Sequence, residues 1–303
     1  MQHILSADQF NRGRLDELLK RAEAMERLVE SGGSNELKGK ILATLFFEPS
    51  TRTRLSFETA MLRLGGQVIS MENATASGSA VKGETLEDTI CVVSSFADGI
   101  VLRHPEIGAA ERAALVSAVP LINAGDGAGE HPTQSLLDLF TIQKELGHID
   151  GIHIAFAGDL KFGRTVRSLA RFLTNYENVK MTFVSPLTLK LGDDVKHFLK
   201  EKEIHLNEMN ALEDALPEVD VLYMTRVQRE RFEDKDEYER VKDSYILTLD
   251  AVRKMKTSAR VLHPLPRVNE ISREVDSDHR AAYFRQTRNG LFIRMAILDI
   301  LLK

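Results

Sequence analysis

Short apolar runs alternate with amphipathic helical stretches along the whole chain, and this alternation limits the possible folds more than any other feature. In the first half, the strand-like runs occupy residues 41–47, 67–70, 100–103 and 121–124. The helix candidates of that half lie near residues 53–64, 85–97, 108–118 and 133–146. In the second half, strand-like runs recur at 152–157, 180–184, 219–224, 245–248 and 260–263. Such alternation predicts parallel sheets with helices on both faces.

Two such series in one chain predict two domains. The chain has 303 residues, and at roughly 150 residues per domain this length also favours two. We therefore expect an α/β protein with two doubly wound parallel-sheet domains. In sheets of this kind ligands bind beyond the carboxyl ends of the strands. The residues directly after each strand are therefore the candidates for a functional site.

The composition argues against several classes of protein. A net charge of −5 disfavours nucleic-acid binding, and no apolar run approaches the roughly 18 residues of a membrane span. The single cysteine, Cys91, cannot form an internal disulfide, and its apolar neighbours predict a small buried side chain. No secretory leader pattern opens the sequence. We expect a cytoplasmic protein that binds neither nucleic acid nor membrane.

The segment 47–54, Phe-Glu-Pro-Ser-Thr-Arg-Thr-Arg, follows the first strand and opens a helix. Ser50 suits the N-cap position, and Thr51 to Thr53 would occupy the first helical turn. Unpaired backbone N–H groups and the positive end of the helix dipole meet there, so this segment favours a phosphate site. An ordinary capped helix with solvated arginines is the alternative, and the segment alone does not decide between them.

Three further polar clusters occur in the first half. Arg103 ends the third strand, where it could serve a ligand or pair with a surface carboxylate. A glycine-rich segment leads to His131 and Gln134, which are three residues apart and could both project from the start of a helix. The small, polar loop 77–85 carries one cation, Lys82, and could equally be an ordinary solvated loop.

The second half has its own clusters after strands. Segment 157–165 opens a helix with Arg164, but it lacks the G-x-G-x-x-G pattern, which argues against nicotinamide binding. Arg226 and Gln228 follow another strand. Segment 263–267, His-Pro-Leu-Pro-Arg, follows the last strand, and its prolines predict a rigid turn in which a cis bond can occur.

The clusters are more informative together than singly. Hydroxyl and basic groups of the first half suit a phosphate and a carbonyl, whereas the arginines of the second half suit carboxylates, which guanidinium groups bind bidentately. The sequence shows no nucleophile–base–orienter set, no metal-binding motif and no Walker A loop. It therefore predicts direct transfer between two bound anions, without a metal, a cofactor or a covalent intermediate.

These segments are similar to the signatures of the transcarbamoylases, which the chain resembles nearly from end to end, and within them to the aspartate carbamoyltransferases. Residues 50–54 resemble the carbamoyl phosphate signature, and residues 131–134 resemble the second signature. Segments 226–228 and 263–267 look specific to the aspartate enzymes. Ornithine enzymes typically carry a cysteine in the latter segment, where this chain has Pro264.

The resemblance implies transfer of the carbamoyl group from carbamoyl phosphate to the amine of L-aspartate, a step of pyrimidine biosynthesis. The residues implied to hold carbamoyl phosphate are Ser50, Thr51, Arg52, Thr53, Arg103, His131, Gln134, Leu265 and Pro266. Those implied to bind aspartate are Lys82, Arg164, Arg226 and Gln228. The catalytic residues among them would be Arg52, Thr53, Lys82, Arg103 and His131.

The resemblance also implies the domain bounds. Residues 1–133 with 288–303 would form a carbamoyl phosphate-binding domain, on which the C-terminal helix packs back, and residues 134–287 would form an aspartate-binding domain.

The resemblance further implies a homotrimer with shared active sites, in which a neighbouring chain donates Lys82 and a loop serine. Ser79 is the favoured serine and Ser77 the alternative. Regulatory chains are a further candidate partner. Two alternative functions stay open: a transcarbamoylase that uses ornithine or another amine, and a catalytically silent assembly partner.

Overall fold

The computed structural model describes residues 2–73, 83–229, 232 and 234–303. The chain divides into two compact units, which are Met1–Leu137 with Arg288–Lys303, and Asp138–Thr287. The division after Leu137 falls four residues beyond the expected bound at 133, inside a helix rather than at its start.

The first unit contains a four-stranded parallel sheet. Its strands are β1 (Ile41–Phe46), β2 (Gln67–Glu72), β3 (Gly99–His104) and β4 (Leu121–Asp126), in the order β2-β1-β3-β4. Its helices are α1 (Arg12–Glu30), α2 (Thr51–Arg63), α3 (Leu86–Ser94) and α4 (Ala109–Val116), followed by α5 (Pro132–Leu146), which contains the division.

The central strands β1 and β3 are almost wholly buried, because helices cover both faces of a parallel sheet. The chain adds β2 on one side of β1 and then crosses to add β3 and β4 on the other. The strand order therefore reverses between β1 and β3, where Phe46 pairs with Arg103. This topological switch point is the place where doubly wound sheets bind ligands.

The second unit contains a five-stranded parallel sheet. Its strands are β5 (His153–Ala157), β6 (Lys180–Val184), β7 (Leu206–Met209), β8 (Val221–Met224) and β9 (Arg260–Leu262), in the order β7-β6-β5-β8-β9. Its helices are α6 (Arg164–Leu173), α7 (Asp193–Glu201), α8 (Leu212–Ala215), α9 (Lys235–Val241) and α10 (Leu249–Arg253). The order reverses between β5 and β8, where Ala157 pairs with Met224.

The last helix, α11 (Tyr283–Leu302), belongs to the first unit from Arg288 onward. Asp299 forms an ion pair with Arg21 of α1 at 2.5 Å. A Cβ on Gly99 would lie 2.8 Å from Leu302, so the helix packs closely on the start of β3. The expected packing of the C-terminal helix on the first domain is confirmed, although the helix begins at Tyr283, five residues before the expected domain bound at 288.

One strand prediction for the second half was wrong, and one strand was missed. Residues 245–248 form no strand, since Leu247 makes only an isolated bridge with Ile271 and Thr248 then caps α10. Strand β7 was missed, because it is a short edge strand whose sequence, Leu-Asn-Glu-Met, is not continuously apolar.

The prediction that Cys91 is buried was also wrong. Helix α3 buries Leu86, Thr89 and Ile90, which share one face, and this spacing turns Cys91 outward. Its Sγ lies 3.8 Å from the Val116 carbonyl oxygen. Within the described part of the chain, no helix is long and apolar enough to cross a membrane.

Candidate active site

The loop between β1 and α2 forms the first part of the candidate site. Helix α2 begins at Thr51 and its N-cap position is Ser50, as the sequence predicted. No described backbone N–H donates a cap hydrogen bond to the Ser50 side chain, so this hydroxyl does not fill the role that its position suggested. Thr53 is buried, whereas Thr51 and Arg52 are exposed. The first turn of α2 can therefore offer backbone N–H groups and a guanidinium group to an anion.

The two arginines of this segment differ in their surroundings. Arg54 donates to the Ser70 hydroxyl at 3.2 Å and forms ion pairs with Glu72 at 3.0 Å and Glu58 at 3.5 Å. These contacts tie α2 to β2 and give Arg54 a structural role. Arg52, exposed at the start of the helix, is the candidate for phosphate.

Arg103 lies beside this loop because β1 and β3 are paired. The Phe47 N–H donates to the Arg103 carbonyl at 2.8 Å, which extends the pairing into the loop. The Arg103 guanidinium lies 3.0 Å from the Glu48 carboxylate and also donates to the Ala124 carbonyl at 3.4 Å. An anion that binds Arg103 must therefore share it with Glu48.

Asp126 at the end of β4 organises the glycine-rich loop before α5. Its carboxylate accepts hydrogen bonds from the backbone N–H groups of Gly108 at 3.0 Å and Glu130 at 2.8 Å. The Asp126 carbonyl accepts a third, from Gly129 at 2.9 Å. A Cβ on Gly127 would approach the Pro105 carbonyl oxygen to 2.5 Å, so this close approach requires glycine.

The same loop places His131 directly before α5. His131 is buried, and its Nδ1 lies 3.4 Å from the Thr133 hydroxyl. Its carbonyl accepts the N–H groups of Gln134 at 3.1 Å and Ser135 at 3.3 Å, which is the pattern of an N-cap residue. Pro132 opens the helix, one residue before the predicted start at 133, and the half-buried Gln134 lies in its first turn.

The switch point of the second unit lies between β5 and β8. A Cβ on Gly158, whose φ is +117°, would approach the Thr225 carbonyl oxygen to 2.2 Å, so the segments after these two strands touch. The Thr225 hydroxyl donates to the Ala157 carbonyl at 3.1 Å. These contacts bring the segment that leads to Arg164 next to the segment of Arg226 and Gln228.

Asp159 holds these two segments together. Its carboxylate accepts the backbone N–H of Phe162 at 3.0 Å and that of Gln228 at 3.5 Å, and the Gln228 side chain donates to the Phe162 carbonyl at 3.4 Å. Burial raises the pKa of Asp159, although these hydrogen bonds and the charge of Arg226 oppose the rise. Both Arg226 and Arg164, the first residue of α6, are half-buried.

The segment after β9 is the third part of the second unit's candidate site. The Leu265–Pro266 peptide bond is cis, as the sequence allowed, and Leu265 has a φ of +55°. Arg267 forms an ion pair with Asp276 and lies over the rings of Tyr283 and Phe284. The turn is therefore fixed at its far end by Arg267.

Three expected site residues, Lys82, Ser77 and Ser79, lie outside the described residues. No cluster of three or more histidine, cysteine, aspartate or glutamate side chains suited to a metal occurs in residues 2–73, 83–229, 232 and 234–303.

Sequence reasoning missed Asp126 and Asp159 as organisers of the two glycine-rich loops. Both are buried acids at or just beyond the end of a strand, in segments that otherwise favour anions. The available signal was their negative charge, which is unexpected beside a site for anions. A carboxylate at such a place is best explained as an acceptor that fixes backbone N–H groups of the loop.

The family comparison agrees with this geometry. Residues 2–144 match the family described as Aspartate/ornithine carbamoyltransferase, carbamoyl-P binding domain. Residues 150–301 match the one described as Aspartate/ornithine carbamoyltransferase, Asp/Orn binding domain. The chain belongs to the aspartate/ornithine carbamoyltransferase family.

Relatives in this family cover the chain from end to end. The aspartate carbamoyltransferase catalytic subunit of Methanocaldococcus jannaschii is 52% identical over 304 residues, covering 100% of this chain and 98% of the relative. Aspartate carbamoyltransferase 1, chloroplastic, of Pisum sativum is 51% identical, covering 100% of this chain and 79% of the relative. The chain spans 13% of the multifunctional protein pyr1-3 of Dictyostelium discoideum, to which it is 53% identical.

Solved structures share the fold. The catalytic subunit of the M. jannaschii aspartate transcarbamoylase has a TM-score of 0.93 at 52% identity, covering 100% of this chain and 98% of that one. The Trypanosoma cruzi aspartate transcarbamoylase in complex with N-(phosphonacetyl)-L-aspartic acid has a TM-score of 0.91 at 45% identity, covering 100% and 96%. The predicted fold class and the family resemblance are both confirmed.

Proposed function

We propose that this chain transfers the carbamoyl group of carbamoyl phosphate to the amine of L-aspartate, giving N-carbamoyl-L-aspartate and phosphate. One observation carries the proposal: in each unit, arginine side chains lie at the topological switch point of a parallel sheet, at β1/β3 and at β5/β8. Relatives about half identical over the whole chain carry the name aspartate carbamoyltransferase, which supports aspartate as the acceptor.

Carbamoyl phosphate is assigned to the first unit. The first turn of α2, with Ser50, Thr51, Arg52 and Thr53, binds the phosphate through backbone N–H groups, hydroxyls and one guanidinium group. Thr53, Arg103 and His131 reach the carbonyl oxygen, and Gln134 reaches the carbamoyl amide. Each charge-assisted hydrogen bond contributes about 1.5–3 kcal/mol, so a desolvated dianion requires several of them. Lys82 is assigned to aspartate, and its positive charge also helps to hold this dianion.

Aspartate is assigned to the second unit. Arg164 and Arg226 bind its carboxylates, and Gln228 adds an amide. The Asp159 hydrogen bonds support this assignment, because they fix the backbone between the two arginine segments. The Leu265 carbonyl and Pro266 are assigned to the amine nitrogens.

The chemistry is a direct attack that proceeds through a tetrahedral intermediate. The unprotonated amine of aspartate attacks the carbamoyl carbon, and negative charge grows on the carbonyl oxygen. Thr53, Arg103 and His131 stabilise that charge as hydrogen-bond donors. The C–N bond forms, the bond from carbon to the phosphate oxygen breaks, and the departing phosphate takes the proton from the amine. Holding the reactants in line supplies up to about 7–11 kcal/mol of the lowered barrier.

A panel of amine acceptors tests the proposal. With carbamoyl phosphate, the purified protein should carbamoylate L-aspartate and leave ornithine unchanged, since two arginines suit a dicarboxylate better than a cationic side chain. Turnover with ornithine alone would make the chain a different transcarbamoylase, and no turnover with any amine would favour a silent assembly partner. N-(phosphonacetyl)-L-aspartic acid, which joins both substrate moieties, should inhibit the reaction competitively with carbamoyl phosphate.

The assembly is proposed as a homotrimer with shared active sites, in which Lys82 and the loop serine, Ser79 or Ser77, come from a neighbouring chain. The M. jannaschii relative is named a catalytic subunit, and this name supports regulatory chains as a further partner. Native mass spectrometry should give three times the chain mass. A complementation experiment that mixes Lys82→Ala chains with Arg52→Ala chains should restore activity only if sites are shared.

A cytoplasmic location also belongs to the proposal. It is supported by the presence of a single cysteine in the sequence, since a low cysteine content is typical of proteins in a reducing compartment. Because relatives from plants are named chloroplastic, cell fractionation with organelle markers is the test, and recovery of the protein in an organelle fraction would contradict the proposal.

A further inference from the structure

His263 follows β9 and makes three hydrogen bonds that the proposed chemistry does not use. Its backbone N–H donates to the Gln286 side-chain oxygen at 2.9 Å. The Leu265 N–H lies 2.7 Å from its ring Nδ1, and its Nε2 lies 2.7 Å from a Glu270 carboxylate oxygen. The ring is wholly buried, with 0% of the side chain exposed.

These contacts define the protonation of the ring. A backbone N–H can only donate, so Nδ1 must accept and carries no proton. The proton is then on Nε2, which donates to Glu270. Burial lowers the pKa of His263, as do the charges of Arg226 and Arg267, while the hydrogen bond and charge of Glu270 act in the opposite direction. The imidazole is therefore neutral and held in one tautomer.

Glu270 completes the turn. Its second oxygen accepts the backbone N–H groups of Val268 at 3.0 Å and Asn269 at 3.1 Å. Burial opposes ionisation of Glu270, but the hydrogen bonds from His263 and the backbone keep its pKa below the ordinary value. A chain of hydrogen bonds thus runs from the Leu265 N–H through the imidazole to the carboxylate and back to the backbone.

The Gln286 side chain links this turn to the unit's core. Its amide donates to Asp138 at 2.7 Å, and Asp138 also accepts from the Tyr223 hydroxyl of β8 at 2.8 Å. The start of the turn is therefore fixed through buried groups of the same unit.

We propose that His263 is a positioning residue, which joins the Leu265 N–H to Glu270 and so fixes the Leu265–Pro266 segment in the conformation that serves the reacting amine. Leu265 needs this support, since a φ of +55° is one that a leucine rarely adopts. Both ring nitrogens are engaged and the ring is buried, so His263 does not exchange protons with substrate. The inference rests on the proposed function, because it gives a purpose to the contacts assigned to Leu265 and Pro266.

Two substitutions separate the two hydrogen bonds of the ring. In His263→Asn the side-chain oxygen lies near the position of Nδ1 and can accept from the Leu265 N–H, while the bond to Glu270 is lost. In His263→Gln the amide reaches the position of Nε2 and can donate to Glu270, while the Leu265 N–H loses its acceptor. Each variant loses one buried hydrogen bond, so their melting temperatures should fall by similar amounts.

The kinetics distinguish positioning from stability. We expect His263→Gln to lower kcat by about 10- to 100-fold, the cost of a small misplacement of reacting groups. His263→Asn should lower kcat by a clearly smaller factor, because it keeps an acceptor for the Leu265 N–H. Both variants should keep the inhibition by inorganic phosphate. Equal kcat values in the two variants would overturn the inference and leave His263 a purely structural residue.

The ring can also be observed in the unsubstituted protein, which avoids any failure of a variant to fold. Nitrogen-15 NMR of the histidine side chains, with His263→Asn used for assignment, should show a neutral ring with its proton on Nε2 between pH 6 and 8. A proton on Nδ1 or a protonated ring in this interval would overturn the inference. If the unsubstituted protein carbamoylates no amine, the proposed function fails; if it is active and the variants are alike, only this inference fails.

Discussion

The surroundings of two arginines in one short segment distinguish a candidate ligand-binding residue from a structural one. Arg52 and Arg54 are two residues apart in α2, yet Arg54 is held by Ser70, Glu58 and Glu72, and Arg52 is exposed at the helix start. A sequence pattern presents the pair as equivalent cations, whereas the structure ties Arg54 to α2 and β2 through these contacts.

We expect Arg52→Ala to lower turnover by about a hundredfold or more and to weaken inhibition by phosphate, because it removes a charge-assisted donor to the leaving group. Steady-state kinetics with carbamoyl phosphate and aspartate measure the effect. Arg54→Ala is the matched control, which should reduce the melting temperature through lost ion pairs and keep the KM for carbamoyl phosphate. An unchanged rate in Arg52→Ala would remove Arg52 from the site.

Arg226→Ala should mainly raise the KM for aspartate, roughly 10- to 100-fold, since a carboxylate loses its bidentate partner. The control is Arg167→Ala in α6, which removes an ion pair to Asp194 and should leave the KM for aspartate unchanged. If the variant changed only the KM for carbamoyl phosphate, the division of substrates between the two units would be wrong.

At the scale of elements, the predictable part of the fold followed apolar periodicity. The four strands of the first unit fell close to their predicted runs, because strands of a parallel sheet are buried on both faces. Edge strand β7 is not continuously apolar and so lacks this pattern. The apolar run around Leu247 lies in a loop instead of a strand. Strand order and the positions of both switch points depend on long-range pairing, which no local pattern encodes.

Contact between the segments that follow β5 and β8 gives an element-scale prediction. Gly158→Ala should destabilise the protein by about 3 kcal/mol or more, since its Cβ would lie 2.2 Å from the Thr225 carbonyl oxygen. Thermal unfolding measures the loss. Gly151→Ala is the control: with φ +76° and no atom within 4 Å of the added Cβ, it should cost only about 1–2 kcal/mol. Similar losses in both variants would show that the close approach does not limit stability.

At the scale of the whole molecule, four histidines make stability depend on pH. Burial is the first cause of a lowered pKa in each of them: His3, His104, His153 and His263. In the unfolded chain they take up protons near pH 6.5, and in the folded protein they do so only at lower pH. Their contribution to stability is therefore complete above about pH 6.5 and declines as the pH falls below it.

We expect the melting temperature to fall between pH 7.5 and pH 5, and His104→Asn to reduce the slope. Asp159, whose pKa burial raises, acts in the opposite direction as the solution becomes more acidic. Asp278, whose pKa Arg280 lowers to about 2, adds a further loss in stronger acid. Scanning calorimetry across this interval is the measurement, and a melting temperature that rose on acidification would contradict the expectation.

The candidate site was predictable to the extent that strand ends predict ligand sites. Arg103, His131 and Arg226 were proposed because each lies at or beyond the carboxyl end of a strand. The buried carboxylates of Asp126 and Asp159 and the tautomer of His263 were not, because they depend on which backbone N–H groups the fold brings to them. Sequence patterns identify what can bind; the hydrogen bonds that hold those groups in place appear only in three dimensions.

Helix α11 has a consequence for how the protein is made. Residues from Arg288 onward complete the first unit, with Asp299 bound to Arg21 and Leu302 against Gly99. A ribosome must therefore synthesise all of the second unit before the first can acquire its last helix. During translation the nascent amino-terminal half exposes the apolar surface that this helix will cover. The second unit can therefore be complete before the first, although synthesis of the first begins earlier.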